Sequence, residues 1–465
     1  MIQPVFLWSD ILIFTLVLAV VFFLWQLRRQ PLTRKRWHAV FASRIGMSSF
    51  LIIMTYVLIA LLDSIHYREA LPTTPSTHEA VLTASAPTAY SNEVKSLLDW
   101  LLSDLTKTKE TTYSAPFALY SFAKESRVDD NGQVTRVFPR LQHVASHLLN
   151  DQQRLIDITA HSIKALFIGL LIALPLVGLH WFWRRSKGPS QLPWLTAYLT
   201  ITILIVSATW MILLSQHYHI FGTDKIGTDV LYQSIKSIRT GILIGTLATL
   251  LALPLAIILG ISAGYFKGWI DDAVQYLYTT LSSIPGILLI AASVLLIDVY
   301  IETHADEFTL TALRADFKFL ALCAILGLTS WTGLCRLLRA ETLKVSQLDY
   351  VQAAHAFGVS HRRIIGRHIL PNVTHIVLIA LVLDFSAFVL AEAVLSYIGV
   401  GVDASMHSWG NMINAARSEL SRDPFIWWPV LSAFIFMFVL VLAANLFADE
   451  VRHAFDPHRV KEPRV

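Results

Sequence analysis

The chain has 465 residues, of which 55% are hydrophobic and only 15% charged, a balance that excludes an ordinary soluble globular protein and makes a lipid bilayer its natural solvent. Its net charge of +4 is spread over short basic clusters between apolar runs, which argues against nucleic acid as a partner. Cys323 and Cys335 fall in one apolar stretch, so neither a disulfide framework nor a CxxC metal site is expected.

A bilayer core takes about 20 apolar residues in helix. About nine segments meet that measure, near 10–27, 45–63, 162–183, 194–215, 240–264, 274–297, 317–336, 375–398 and 427–447. They predict an all-α integral membrane protein with about nine transmembrane helices. Asp10 precedes the first segment, while Arg28, Arg29, Arg34, Lys35 and Arg36 follow it; a secretory signal has its basic flank on the other side, so an uncleaved span is expected. Basic residues stay on the cytoplasmic side. The clusters Arg28 to Arg44, Arg184-Arg185-Lys187, Arg336 to Arg367, and Arg452 onward all fall there if the spans alternate from an N-terminus outside. The C-terminus is then cytoplasmic.

The stretch 64–160 lies outside the membrane in this scheme. It begins with a linker rich in Pro, Ser, Thr and Ala at about 71–91, which lacks periodic apolar residues. Val94, Leu97, Leu98, Leu101 and Leu105 then repeat at helical spacing, as do Leu141, Val144, Leu148 and Leu155 after a turn signal at Asp130-Asn131-Gly132. A small, partly helical domain is predicted there.

Between the fourth and fifth spans, Gly222-Thr223-Asp224 and Gly227-Thr228-Asp229 have the composition of a tight turn that caps a following helix. Pro175, Pro254 and Pro285 are expected to kink their helices. The loop 337–372 is too patterned for a linker: Val345, Leu348, Val351 and His355 recur at helical spacing, and Ala353, Ala354 and Ala356 keep the helix thin. Gly358 supplies a position that tolerates positive φ and ends a helix. A second basic helix is expected over 360–369, ended by Pro371 where the next span starts. Asp384 and Glu392 stand within an apolar helix, where an ionised carboxylate costs at least about 2.5 kcal/mol unless paired or wet. They are expected to face a translocation path or a partner, or, for Glu392, to fix helix packing through a buried hydrogen bond.

Several of these pieces resemble one family. Gln352-Ala353-Ala354, Gly358 and Ile369-Leu370-Pro371 look like the "EAA…G…I-LP" loop by which permeases of ABC importers dock onto their ATPase. His219 to Leu231, with Gly222, Thr223, Asp224, Gly227 and Asp229, is similar to the "HPLGTDxxGRDVLSR" signature of the C-type permease subunit of bacterial dipeptide, oligopeptide and nickel importers. Ala263 to Asp271 resembles "AGYFGGWxD", and Leu390 to Gly401 with Ser408 to Met412 resembles "LAEAxLSFLGLG…SWGNML". Ile284-Pro285, Asn445 to Asp449 and Phe455-Asp456-Pro457 also follow the family. Gln352 departs from the usual Glu, Ile220 from Pro and Thr228 from Arg. The resemblance covers about 195–458 and says nothing of the first three spans or of the stretch 64–160.

The resemblance implies a type I ABC importer permease core with extra N-terminal spans, multi-pass in a bacterial inner membrane with a periplasmic N-terminus. Its expected divisions are two N-terminal spans at 1–65, a periplasmic insertion at 66–160, two spans and the GTD loop at 161–236, the transmembrane domain at 237–449 and a cytoplasmic tail at 450–465. The implied partners are a second homologous permease, two ATPase subunits, a periplasmic substrate-binding protein and membrane lipid, with no cofactor. Di- or oligopeptides are the implied substrates, with nickel, an opine or a modified peptide as alternatives.

Enzyme signatures fail on inspection. His78-Glu79-Ala80-Val81-Leu82 lacks the last ligand of HExxH, and Gly399 to Asp403 misses GxGD by one residue. His143 and His147 have no third ligand nearby, so no metal is expected. No GxxxxGK[ST] loop occurs, so an ATP site has to come from another polypeptide. Two rival readings are a stand-alone ion-coupled transporter using Asp384 and Glu392, which has no need of a docking loop, and a membrane receptor or assembly factor built on the outer domain.

Overall fold

The computed structural model describes residues 2–27, 31–70, 90–128, 134–145, 148, 151–186, 191–308 and 310–455. The N-terminal half carries β1 (Ile2–Val5), α1 (Trp8–Leu27), α2 (Pro31–Ala42), α3 (Arg44–Asp63), β2 (His66–Glu69), β3 (Lys95–Ser96), α4 (Leu97–Leu101) and α5 (Ser103–Lys107). It continues through β4 (Glu125–Val128), β5 (Val134–Val137), α6 (Arg154–Arg185) and α7 (Trp194–Ser215). The C-terminal half is helical: α8 (Val230–Phe266), α9 (Gly268–Ser283), α10 (Gly286–Thr303), α11 (Thr311–Ser330), α12 (Thr332–Ser346), α13 (Asp349–Ala356) and α14 (His361–Ile364). A π-helical stretch, Ile365–Ile369, joins α14 to α15 (Leu370–Ile398), and α16 (Trp409–Arg417) and α17 (Trp428–Phe455) follow.

Among the described residues eight helical stretches are long and apolar enough to cross a membrane, and α1 adds a shorter apolar run, Trp8–Phe22. The expected spans therefore reappear, with three shifts. The segment expected at 274–297 is broken at Ile284 and Pro285, and the spanning helix is α10. Pro285 has no N–H to donate, so it caps α10 instead of continuing α9. The segment expected at 317–336 extends as 311–346. At the third, the helix runs through Pro371, which sits in the first turn of α15. The π-helical register just before it accommodates the lost donor, so the expected stop at Pro371 is not observed.

Helices in lipid gain little from apolar contact with one another, so close approach and polar links decide their arrangement. The 37-residue α8 is the centre: α3, α9, α11, α12, α15 and α17 all pack on it. Gly260 and Gly264 let α12 touch its backbone; a Cβ at either would lie 2.7 Å from the Cys335 carbonyl oxygen and 2.6 Å from that of Arg339. Ile244, Phe319, Leu322, Leu338 and Leu440 are fully buried in the surrounding core. On the other flank α3 packs on α8 and α17, α7 on α3, and α6 on α7.

The region after α3 is a mixed structure, with two short helices among four strands in the described residues. β1 pairs antiparallel with β2, from Ile2 against Glu69 to Val5 against His66, and β2 pairs with β3. The run from Val94 to Leu105 forms two short helices broken at Leu102, with Leu98 and Leu105 buried and Leu101 exposed. Leu141, Val144 and Leu148 are buried around Leu119 and Tyr218 but are not helical, because Leu141 N–H donates to Leu119 and Ala145 N–H to His217. Long-range backbone pairing overrides the spacing there. Leu155 is exposed on α6. The linker 71–89, Asp130-Asn131-Gly132, His78-Glu79, His147 and Asp456-Pro457 lie outside the described residues.

Two cations on the first turns of α8 tie this region down. Lys236 Nζ lies 2.8 Å from both Asp63 and Asp99, while Ser96 Oγ donates to Asp63 at 2.6 Å and Tyr232 Oη to Asp99 at 2.7 Å. Arg239 donates to Asp10 at 2.6 Å, to Ser9 at 2.7 Å and to Ser64 at 3.1 Å. Removing one member of a buried ion cluster strands the others, at a cost of about 3–5 kcal/mol. Lys236→Met should therefore lower the thermal midpoint of the detergent-solubilised protein markedly. Adding Asp63→Asn and Asp99→Asn should recover much of the loss, as followed by tryptophan fluorescence on heating.

Candidate functional site

The loop joining α12 to α15 is anchored from beneath. Val345, Val351, Ile364, Ile369 and Val373 are buried in the main core, and Ala354 and Val359 pack against it. The end of α13 is a Schellman turn. Gly358 has φ +72, its N–H donates to His355, and the Val359 N–H donates to Ala354. Nothing lies within 4 Å of a Cβ placed on Gly358. Gln352, Ala353, His355, Ala356, Phe357 and Gly358 are exposed, Phe357 to 87%. Phe357 is thus an open apolar ring at the end of a helix whose underside is anchored by buried side chains.

The turn between α8 and α9 braces this loop. Tyr265 Oη and His361 Nδ1 are 2.8 Å apart, and Arg339 donates twice to Asp271, at 2.5 and 2.7 Å. Arg339 holds the Asp271 carboxyl below its usual range. Gln352 Nε2 donates to the Gln347 carbonyl at 3.2 Å, which ties the family-divergent side chain back to its own loop. Leu370 and Pro371 are exposed at the start of α15.

At the opposite end of the bundle, residues 219–229 form a compact loop that caps α8. Asp229 accepts from the Leu231 and Tyr232 amides at 2.7 and 3.3 Å. Asp224 closes the turn by accepting from the Ile226 and Thr228 amides at 3.0 and 2.8 Å. Both glycines have positive φ and are pressed by the region 110–114: a Cβ on Gly222 would lie 2.2 Å from the Ser114 carbonyl oxygen, and one on Gly227 1.8 Å from that of Glu110. Thr223 Oγ1 accepts from the Ser114 amide at 2.7 Å and donates to Thr112 at 2.9 Å, and the Glu110 amide donates to Gly227 at 3.0 Å. The partners Glu110, Thr112 and Ser114 carry no local sequence signal, because the contact is made across more than a hundred residues.

His219 is buried between two carboxylates, with Nδ1 2.6 Å from Asp229 and Nε2 3.8 Å from Glu110. Burial opposes its charge, but hydrogen bonding and attraction to Asp229 and Glu110 prevail and push it up to about 9. For Glu110 burial acts upward, yet His219 and the amides of His143 and Gln142 hold it at about 2.

Asp384 is half-buried at the middle of α15 and makes no hydrogen bond or ion pair with the described residues. Glu392 is 2% exposed and accepts from Ser396 Oγ at 2.7 Å, and a Cβ on Gly410 would lie 3.0 Å from its Oε1. It is enclosed where the start of α16 rests on α15. The two carboxylates are thus not brought together.

The chain is a helical protein with eight stretches able to cross a membrane among the described residues and an exposed, anchored loop between two of them. A family model described as "Binding-protein-dependent transport system inner membrane component" matches residues 256–460. The oligopeptide transport system permease protein OppC of Mycobacterium bovis is 31% identical over 239 residues, covering 51% of this chain and 76% of that protein. OppC of Haemophilus influenzae is 30% identical over 52% of this chain and 70% of its own length. The dipeptide transport system permease protein DppC of Bacillus subtilis is 28% identical over 51% and 68%. The chain belongs to the family of inner-membrane components of binding-protein-dependent transport systems, and it is a multi-pass membrane protein.

Because the pKa of His219 is raised on folding, its contribution is complete below about pH 6.5 and is lost as pH rises through about 9. Because that of Glu110 is depressed, its contribution is complete above about pH 4.3 and is lost as pH falls through about 2. Amide-exchange protection of 110–114 and 219–229, corrected for the intrinsic rate, should stay level between about pH 4.3 and 6.5 and fall progressively as pH rises from there to about 9. His219→Gln should abolish the alkaline decline, and Gly227→Ala should lower protection at every pH.

Proposed function

We propose that this chain is a permease subunit of an ATP-driven importer, probed from one side by a substrate-binding protein and gripped on the other by an ATPase. What carries the reading is the 347–369 loop. It presents Gln352, Ala353, Gly358 and the exposed Phe357 while buried residues on both sides fix it to the spans. A helix so anchored converts movement of a bound ATPase into rotation of α12 and α15. Leu370 and Pro371 begin the helix that would turn, and the π-helical stretch before them is a register that a load can shift. The hydrolytic site belongs to the partner ATPases in this reading.

The loop then lies in the cytoplasm, with the C-terminus, while β1 and the 219–229 loop lie outside. The N-terminal elements, the insertion after α3 and the core from α8 to α17 act as separate divisions of one subunit. A second related permease completes the path, and the half-exposed Asp384 faces it. Glu392 reaches that path only if its contact with Ser396 opens. The relatives' names, oligopeptide and dipeptide transport permeases, favour short peptides as cargo. The unpaired Asp384 is also what an ion-coupled transporter would use, so the two readings need separating.

Ala353→Glu and Gly358→Asp alter exposed positions of the loop outside the spans; the Asp also strains the positive φ of the turn at 358, a local effect, so insertion into the membrane should be unchanged. Each should release the co-expressed ATPase from affinity-purified complexes, and peptide-stimulated ATP hydrolysis in proteoliposomes should fall at least tenfold. Uptake that persists without bound ATPase and collapses on dissipating the ion gradient would instead establish the ion-coupled reading. Asp384→Asn should lower transport in either case while leaving ATPase capture intact.

A further inference from the structure

A cavity of about 730 Å³ lies at the end of the bundle that carries β1, between the N-terminal region and the core. That is the size of a small-molecule site. Tyr232, Lys236 and Arg239 of α8 and Asp316 of α11 form its core side, and Tyr67, Glu93 and Trp100 its insertion side. No lining residue comes from α15 or α17, so it is separate from Asp384.

Charge is unbalanced in this cavity. Three of its four lining Lys or Arg side chains are already taken: Lys236 by Asp63 and Asp99 at 2.8 Å, Lys95 by Glu69 at 2.7 Å, and Arg239 by Asp10 at 2.6 Å. That leaves Lys107 against Glu93 and Asp316. His407 adds no charge, since burial and then Lys236 hold it down at about 4. Asp316 is 2% exposed; its Oδ2 accepts from the Ser9 amide at 3.1 Å, and its Oδ1 has no hydrogen-bond partner among the described residues. A carboxylate oxygen left bare in such a place is costly and calls for a donor. Tyr67, Tyr232 and Trp100, the last 64% exposed at the rim, also line the cavity, and aromatic rings attract cations.

We propose that this cavity binds a small organic ammonium ion, with Asp316 as the counter-ion at its floor, the aromatic rings along its wall and Glu93 at its entrance. Binding requires no transport and no other subunit. It lies where the region before the match to the family model meets matched residues, Asp316 and His407 among them, and adds a ligand site that the translocation reading does not use.

The test is titration calorimetry on the full chain in phosphatidylcholine nanodiscs, which carry no anionic lipid to hold amines, with cadaverine as probe and doubly N-acetylated cadaverine as the uncharged control. Saturable binding of cadaverine alone is expected. Asp316→Asn should weaken it roughly tenfold or more. Glu93→Gln, on the exposed rim, should weaken it by about threefold, and Lys107→Glu should tighten it by a similar factor. The proposal is overturned if cadaverine shows no saturation into the millimolar range. It is equally overturned if the acetylated control binds as well, or if Glu93→Gln and Lys107→Glu, which leave the buried groups intact, fail to shift the affinity in opposite directions.

Discussion

The architecture depends on how closely α8 can be approached. Its two ends do different work with the same need for contact. At one end Lys236 and Arg239 collect Asp10, Asp63 and Asp99 from three separate segments; at the other Gly260 and Gly264 bring α12 against bare backbone. In a bilayer, where apolar surface alone does not draw helices together, these are the two means available. A bulkier residue at Gly264 would push away the helix that leads directly into the exposed loop.

This arrangement gives the added N-terminal region a physical role in the subunit. It does not merely precede the core. Backbone from residues 110–114 lies on Gly222 and Gly227, and Thr223 is wedged between Thr112 and Ser114. The loop that caps α8 is therefore covered by the insertion, and any protein approaching this end meets the insertion as well as the core. The buried His219, charged between Asp229 and Glu110, joins the two parts by an interaction that is worth more away from water than at a surface.

Much of the fold was legible because membrane helices are long and every backbone group must be satisfied internally. Eight of the spans appear as apolar runs that no globular pattern imitates. Short-range features fared less well. Leu141, Val144 and Leu148 have helical spacing, yet their burial comes from Leu119 and Tyr218, which are distant in sequence or across a turn. The run through 274–297 carries no charge, but Gln275, Thr279, Thr280, Ser282 and Ser283 occupy its first half, and Pro285, which reads as a kink, separates two helices. In the candidate loop, Gly358 and the small residues near it were readable from sequence, because a Schellman turn is local. Glu110 and Ser114 were not, since their importance lies wholly in a partner more than a hundred residues away. Lys236 and Arg239 carried a signal that spacing alone did not interpret: two cations at the mouth of an apolar helix require acids nearby.

The measurement that tests the central claim most directly is site-specific photocrosslinking in membranes that contain the assembled system, with the photoreactive residue placed at Phe357 and, in a separate protein, at Trp100. Both side chains are exposed, at 87% and 64%, on opposite ends of the bundle. An anchored docking loop predicts an adduct with an ATPase from position 357 and none from position 100. Adducts from position 357 with lipid alone would contradict it and make the loop a helix that merely rests on the membrane.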